Sequence, residues 1–266
     1  MKLAPGAGGA GAPFQRCGRM VTAAFGKPGR GGLCAILAVR RQSSLGDGMK
    51  IGIVGAGRIG GNLASLWAKQ RHSVMLSYSR EPETLEQRAS AIGALASVGS
   101  VREAAEFGEA VLFSVPWTHV EEVLSEIGDE ALDGKVLIDT TNQFGPDGVE
   151  DLPDGKTAAQ LNASRMPAGV KYVKAFNTLT AGFQGAAAGR SGDERVAMFF
   201  CGDDDEAKQT VKKLIRDIGF APVDAGGLAD AAVMEAPRRD GAVYGEEFSK
   251  PEALEFLEKA RGGDGD

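Results

Sequence analysis

The chain has 266 residues, of which 43% are hydrophobic and 25% charged, a composition typical of a globular protein with one large domain or two small ones. The formal net charge is −6 at pH 7. Residues 1–48 carry seven basic side chains against Asp47 alone, which gives them a charge of +6 and leaves −12 for the rest. Because an acidic body repels nucleic acids and anionic membranes, we expect neither as a partner.

Residues 1–48 differ in composition from everything that follows. They are rich in Gly, Ala, Arg and Pro, as an organellar transit peptide is, and their longest apolar run, Leu33–Val39, is too short to span a bilayer. A flexible tail, or upstream sequence ahead of a true start at Met49, fits the same composition, and we favour the last interpretation. We therefore predict a disordered or misassigned extension at residues 1–48 that contributes nothing to the fold or the site.

From Met49 onward, short apolar runs alternate with helical patterns, which predicts a doubly wound α/β fold with a mostly parallel sheet. The predicted strands are, in chain order, Lys50–Val54, Ser73–Ser79, a short piece near residues 95–98, Ala110–Val115, Lys135–Thr141, Lys171–Phe176, Val196–Gly202 and Phe220–Gly226. The predicted helices occupy residues 57–70, the stretch from Glu81, residues 119–127, the region near 158–166, the stretch after Asn177, and residues 203–219 and 251–260. Residues 142–157, rich in Gly, Pro and Asp, are predicted to form a loop.

The stretch "GAGRIG" at residues 55–60 is a G-x-G-x-x-G pattern between the first predicted strand and the first predicted helix. Gly55 allows a tight turn, Gly57 lets the backbone approach a pyrophosphate, and Gly60 allows the helix to pack closely on the strand. Phosphates would bind at the helix N-terminus, where free N–H groups and the helix dipole favour anions. The pattern predicts a dinucleotide site of the Rossmann type, with a glycine-rich turn that binds nothing as the alternative.

The residues at the end of the second predicted strand select the dinucleotide. NAD-binding proteins usually carry Asp or Glu there, whereas this chain has Tyr78-Ser79-Arg80 and no acid before Glu81. A hydroxyl beside a guanidinium suits a 2′-phosphate, so Ser79 and Arg80 predict NADP. In the alternative interpretation Arg80 is a solvated surface charge and Glu81 accepts the ribose hydroxyls.

Two further strand ends are expected at the carboxyl edge of the sheet, where open α/β folds bind ligands. Val115, Pro116 and Trp117 are candidates for a wall against the ribose and nicotinamide, and Asn142 could orient the nicotinamide or a substrate. His119 is the one histidine near this edge, and its position suits a helix cap as well as a proton donor. We assign no catalytic residue.

Cysteine and histidine usage predicts no metal site. Cys17, Cys34 and Cys201 have neither disulfide nor metal spacing, and His72 lies far from the second histidine. Sparse cysteines are typical of a reducing compartment, so we expect a cytoplasmic location.

From Met49 to about Glu235 the chain resembles the NADPH-dependent reductases of the deazaflavin coenzyme F-420 and the related N-terminal domain of metalloreductases. The resemblance rests on the stretches "KIGIVGAGRIGGNLA", "YSR", "SVPW", "VKAFNT", "CGDDDEAK" and "DAGGLADAAVMEA", which occur in the expected order. It implies that the backbone of Gly57, Arg58 and Ile59 contacts the phosphates of the cofactor. It also implies that Ser79 and Arg80 hold the 2′-phosphate.

The resemblance further implies that Val115 to Trp117 form the nicotinamide side, and that Ala175 and Asn177 flank the pocket for substrate and nicotinamide. Two departures bear on the site. The family often has a basic residue one turn after the Ser-Arg pair, whereas this chain has the uncharged Thr84 near that position. The missing charge lowers the expected affinity for the 2′-phosphate. The C-terminal stretch "APRRDGAVYGEEF" differs from the apolar end of the deazaflavin enzymes, and its two arginines could attract a polyanionic tail or be surface charges.

Together these observations predict an NADP-binding Rossmann domain at residues 49–169 and a smaller substrate lobe at residues 170–266. The predicted function is hydride transfer between NADP(H) and a flat redox partner, with coenzyme F-420 as the expected substrate. A flavin or metal-chelate reductase is one alternative, and an NADP(H)-sensing protein without turnover is another. We expect a small-molecule redox partner, and a homodimer is left open.

Overall fold

A computed structural model describes residues 48–79, Glu81 and residues 83–262. Arg80, Pro82, residues 1–47 and residues 263–266 lie outside the described residues, and the predicted extension lies among them. None of the described helices has the length and apolar character needed to cross a membrane.

The described residues form an α/β fold in which strands and helices largely alternate. The strands are β1 (Lys50–Val54), β2 (Ser73–Ser77), β3 (Ala96–Val98), β4 (Ala110–Phe113), β5 (Val136–Asp139), β6 (Phe144–Gly145), β7 (Gly148–Val149), β8 (Lys171–Ala175), β9 (Ala197–Gly202) and β10 (Ala221–Gly226). The α-helices are α1 (Arg58–Lys69), α2 (Glu83–Ile92), α3 (Val101–Phe107), α4 (Val120–Ile127), α5 (Ala158–Ala163), α6 (Ala181–Ala187), α7 (Asp205–Asp217) and α8 (Lys250–Gly262). Short 3-10 turns complete the connections, the longest at Leu228–Met234.

Eight strands form one sheet in the order β10-β9-β8-β5-β4-β1-β2-β3, and only the β8–β9 pair is antiparallel. From β1 the chain first adds β2 and β3 on one side and then returns to add β4 and β5 on the other. This reversal creates a crevice at the carboxyl ends of β1 and β4. This confirms the predicted doubly wound, mostly parallel α/β fold. Because β5 pairs with β8, the two predicted segments 49–169 and 170–266 contribute neighbouring strands to one sheet.

Side chains that alternate along the strands fill two apolar layers, one on each face of the sheet. Ile51 and Ile53 of β1 pack in the layer covered by α1, α2, α6 and α7. Val111 and Phe113 of β4 pack in the layer covered by α3, α4, α5 and α8. Burial on both faces explains why these strands read as continuous apolar runs.

One helix and one hairpin were absent from the sequence-based prediction. Helix α3 begins after Ser100, whose hydroxyl accepts the backbone N–H of Glu103 while the Glu103 carboxylate accepts the backbone N–H of Ser100. The S-x-x-E spacing of this capping box is a sequence signal for the helix. The predicted loop at residues 142–157 contains the hairpin β6–β7, and β7 begins at Gly148 with a φ of +121°.

Candidate functional site

The glycine loop connects β1 to α1 and is tied to the neighbouring strand. The backbone N–H groups of Gly55 and Ala56 both donate to the Ser77 carbonyl oxygen at 3.1 Å. Gly55 has a φ of +105°, and a Cβ there would lie 2.3 Å from the Ser114 carbonyl oxygen. A Cβ on Gly60 would lie 2.0 Å from the Gly55 carbonyl oxygen, so both positions require glycine.

The N-terminus of α1 is left open toward the cleft. Gly57 precedes the helix and has no side chain to cap it, and the first turn contains no acidic residue. A Cβ built on Gly57 meets no atom of the protein within 4 Å, so the space in front of it is free. Uncapped N–H groups beside free space are what a pyrophosphate needs, and this chain fits the phosphates of a dinucleotide here.

A cleft of about 760 Å³ runs from this helix terminus along the carboxyl edge of the sheet. It brings together nine of the sequence-predicted residues: Gly55, Gly57, Arg58, Ile59, Ser79, Val115, Pro116, Trp117 and Asn142. It is also lined by Ala56, Tyr78, Glu81, Thr84, Arg88, Ser114, Thr140, Thr141 and Phe144. Gly60 lies behind the loop, where it provides the close packing of helix on strand that the sequence predicted.

The end of the cleft beyond β2 is a small hydroxyl-rich corner. Ser79 Oγ lies 3.0 Å from Thr84 Oγ1 and accepts the backbone N–H of Glu81 at 3.2 Å. Thr84 Oγ1 donates to the Glu81 carbonyl oxygen at 2.6 Å, so Ser79 is the donor to Thr84. Arg80, the predicted partner of the 2′-phosphate, lies outside the described residues.

The half of the cleft beyond β4 and β5 is polar but carries no ionisable side chain among the described lining residues. Thr140 Oγ1 donates to Ser114 Oγ at 2.9 Å, and Trp117 Nε1 donates out of the cleft to Glu150 at 2.8 Å. Phe144 remains 46% exposed at the mouth. This surface can position a flat ring but offers no group for strong acid–base chemistry.

Two residues that the resemblance placed beside the substrate do not line this cleft. Ala175 is fully buried in β8, and Asn177 is 6% exposed behind Asn142. Asn177 Nδ2 donates to Asn142 Oδ1 at 3.1 Å, and Asn142 Nδ2 donates to the Asn177 carbonyl oxygen at 3.0 Å. The carboxyl end of β8 therefore supports Asn142 from behind, because β5 lies between β8 and the crevice.

His119 also lies outside the lining of the cleft. Its Nδ1 is 3.0 Å from the hydroxyl of the neighbouring Thr118, at the start of α4. His119 directly precedes α4, and its side chain makes no capping hydrogen bond to the helix.

The two arginines of the C-terminal stretch are engaged within the protein. Arg238 Nε donates to Glu246 at 2.7 Å. Arg239 donates to the carbonyl oxygens of Ala232, Glu235 and Pro237. Of the two alternatives for this pair, the contacts favour structural surface charges.

A buried polar cluster lies under the cleft and was not predicted from the sequence. Lys174 is fully buried, donates to the Thr141 carbonyl oxygen at 2.7 Å, and lies 3.4 Å from Asp139 and 3.7 Å from Glu235. The Tyr172 hydroxyl donates to Asp139, and burial together with that carboxylate raises the pKa of Tyr172 well above its usual range. Because Thr141 lines the cleft, this cluster fixes the backbone at the end of β5.

The part of the chain that contains the glycine loop and the first strand ends is similar in sequence to known proteins. Residues 50–143 match the family model described as NADP oxidoreductase, coenzyme F-420-dependent. A stretch of 187 residues, 70% of this chain, is 35% identical to metalloreductase STEAP3 of Rattus norvegicus, and it spans only 36% of that protein.

Two solved structures share the fold. Hypothetical protein SMa0349 from Sinorhizobium meliloti has a TM-score of 0.65 and 25% identity, covering 77% of this chain and 96% of that one. A candidate F-420-dependent NADP reductase from Arthrobacter sp. FB24 has a TM-score of 0.59 and 24% identity, covering 69% of this chain and 87% of that one.

Proposed function

We propose that this chain passes a hydride from NADPH to the deazaflavin coenzyme F-420, a proposal supported by the match of residues 50–143 to the model of F-420-dependent NADP oxidoreductases. The family implies NADP(H) binding, and the open terminus of α1 beside Gly57 fits the phosphates of that cofactor. Gly57, Arg58 and Ile59 would present backbone N–H groups to the pyrophosphate. Bound NADPH supplies the hydride from C4 of its nicotinamide ring.

One observation carries the choice of a flat hydride acceptor. The described residues that line the cleft beyond β4 and β5 include no ionisable side chain, so no residue there can act as a general acid or base. Reduction of a deazaflavin needs the hydride at a ring carbon and a proton at a ring nitrogen, and water supplies that proton. Such a reaction requires that two rings are held in contact, and in this proposal Val115, Pro116 and Asn142, which line the cleft, would hold them.

A second candidate is a reductase of flavins or metal chelates. It is favoured by the 35% identity to rat metalloreductase STEAP3, although the chain spans about a third of that relative. In that case the same half of the cleft would present NADPH to a flavin or to a chelate, and the difference would lie in the acceptor alone.

Stopped-flow mixing of the protein with NADPH and oxidised F-420 tests the proposal. We expect the deazaflavin absorbance to bleach in step with oxidation of NADPH. Parallel mixing with a free flavin and with a ferric chelate identifies the second candidate if only those acceptors are reduced. Tight binding of NADPH with turnover of none of the acceptors would contradict an enzyme and favour an NADP(H)-sensing protein.

The matched control for turnover is Gly57→Ala. It fills the free space in front of α1 without touching a protein atom, so it should block NADPH while leaving the fold intact. Residual reduction at the wild-type rate in this variant would place the reaction outside the cleft.

A further inference from the structure

The corner of the cleft beyond β2 contains one cation that sequence analysis did not assign. Arg88, on α2, lines the same cleft as Ser79, Glu81 and Thr84 and is half-buried. Among the described residues, no carboxylate forms an ion pair with Arg88, whereas Arg102, Arg190 and Arg238 each have one. A half-buried guanidinium without a counter-ion is positioned to receive an anion.

Gly61 holds the Arg88 guanidinium against the first turn of α1. A Cβ on Gly61 would lie 2.3 Å from Arg88 Nη1 and 3.2 Å from the Ala56 carbonyl oxygen. The guanidinium therefore rests directly on the backbone beside the glycine loop, in space that any other residue at position 61 would occupy. The Arg88 guanidinium therefore lies between the loop that fits the pyrophosphate and the end of β2.

In dinucleotide-binding folds the adenine ribose lies at the end of the second strand, so its 2′ position faces this corner. Glu81 is exposed at the same corner, and its carboxylate would repel a 2′-phosphate while suiting a free ribose hydroxyl. Thr84 contributes a hydroxyl and no charge. If this corner is to prefer the phosphorylated cofactor, it needs a cation in addition to the sequence-predicted Arg80.

We propose that Arg88 is a specificity-determining residue that binds the 2′-phosphate of NADP(H). Gly61 positions Arg88, because its missing side chain leaves room for the guanidinium against α1. The proposal deepens the proposed function and rests on NADP(H) occupying this cleft. Arg88 compensates for the uncharged Thr84 because its side chain reaches the same corner from one turn further along α2. A guanidinium can meet two phosphate oxygens at once, which a point charge cannot.

Calorimetric titration with small fragments isolates the 2′-phosphate from the rest of the cofactor. The ligands are 2′,5′-ADP and NADP⁺, which carry the phosphate, and 5′-AMP and NAD⁺, which lack it. Arg88→Ala should weaken binding of the first two by about tenfold or more, the scale of a lost charged hydrogen bond, and leave the other two nearly unchanged. Arg88→Gln keeps the stem over Gly61, removes the charge, and should give the same selective loss if the alanine variant folds poorly.

Two further variants separate charge at this corner from charge in general. Lys69→Ala removes an exposed cation at the far end of α1 and should change none of the four affinities. Gly61→Ala keeps Arg88 but displaces its guanidinium, so it should weaken 2′,5′-ADP more than 5′-AMP.

Equal losses for all four ligands in Arg88→Ala and Arg88→Gln would show that Arg88 holds the loop rather than the phosphate. No loss for 2′,5′-ADP would show that the phosphate is held elsewhere, and either result overturns the proposal. If the wild-type protein binds 2′,5′-ADP tightly and reduces no acceptor, the proposed function fails while the role of Arg88 stands.

Discussion

Three glycines within six positions of the glycine loop are constrained for different reasons. Gly55 has a left-handed φ and faces the Ser114 carbonyl, and Gly60 faces the Gly55 carbonyl. Gly57 has open space in front of it and a φ of −71°, but its ψ of −148° lies outside the usual helical and extended regions, so within the described protein only mild backbone strain favours glycine there. A close-approaching ligand explains Gly57, since only its absence of a side chain keeps the space free.

This contrast gives opposite expectations for two alanine variants. Gly57→Ala should lower the melting temperature less than Gly60→Ala does and should lose NADPH binding, because its methyl group enters only the free space of the cleft and its cost in stability is limited to the unusual ψ. Gly60→Ala should lower the free energy of unfolding by about 1–3 kcal/mol, since its Cβ would lie 2.0 Å from a backbone oxygen. Thermal melts and NADPH fluorescence titration measure both, and a destabilised Gly57→Ala that still binds NADPH would contradict this assignment.

At single residues, the sequence predicted what local pattern can reveal. The glycine spacing and the strand ends at Val115 and Asn142 follow from short motifs, and the cleft brings these residues together. Arg88 and Phe144 were not predicted, because their places in the cleft depend on how α2 and the β6–β7 hairpin pack. No spacing along the chain encodes those contacts.

Among the secondary-structure elements, α5 and the segment after β10 are joined by one buried carboxylate. Glu235 is 2% exposed, and its two oxygens accept the backbone N–H groups of Ala158 and Ala159 at 2.8 Å each. The same carboxylate lies 3.7 Å from Lys174 of β8. The C-terminal segment is thus anchored to the N-terminus of α5 and to the sheet beneath the cleft.

Removal of this anchor should be costly. Glu235→Ala leaves two buried N–H groups without an acceptor and Lys174 with one carboxylate fewer, so we expect a loss of about 3 kcal/mol or more in the free energy of unfolding. Glu246→Ala, which removes an exposed partner of Arg238, should cost less than about 1 kcal/mol. Urea unfolding measures both, and similar small losses would mean that the anchor contributes little.

The elements show where sequence patterns succeed and where they stop. Strands β1 (KIGIV) and β8 (KYVKA) carry the β-branched and aromatic residues typical of strands, and β1 was predicted at its observed bounds and β8 to within one residue. Helix α3 was missed because it has only seven residues, although its capping box at Ser100 is visible in the sequence. The antiparallel direction of β9 was not predicted, since direction depends on how the chain crosses the sheet after α6.

Across the whole molecule, His72 links Met49, which precedes β1, to Asp217 at the C-terminal end of α7. Its Nδ1 accepts the backbone N–H of Met49 at 3.1 Å, and its Nε2 donates to Asp217 at 3.0 Å. Burial lowers the pKa of this imidazole from its ordinary value of 6.5, and the nearby Lys213 adds to the effect, while Asp217 opposes it. The folded protein therefore favours the neutral ring.

This shift predicts a pH dependence of stability. As the pH falls below about 6.5, the unfolded chain takes up a proton on His72 that the folded chain resists, so stability is lost on acidification. The stability advantage of the wild-type protein over His72→Gln should shrink between about pH 7.5 and about pH 5.5. Melting temperatures across this range measure the difference, and an advantage that grows at low pH would mean that the Asp217 pair dominates.

The proposed function requires that this cleft holds NADPH so that its hydride passes directly to a flat acceptor. Deuterium placed at C4 of the nicotinamide, on each face in turn, tests the claim with oxidised F-420 as acceptor. Because the cleft half beyond β4 and β5 presents no ionisable side chain among the described residues, we predict that deuterium from one face appears at the ring carbon of reduced F-420. Reduced F-420 that carries no deuterium from either face, with the label released to water, would contradict direct transfer.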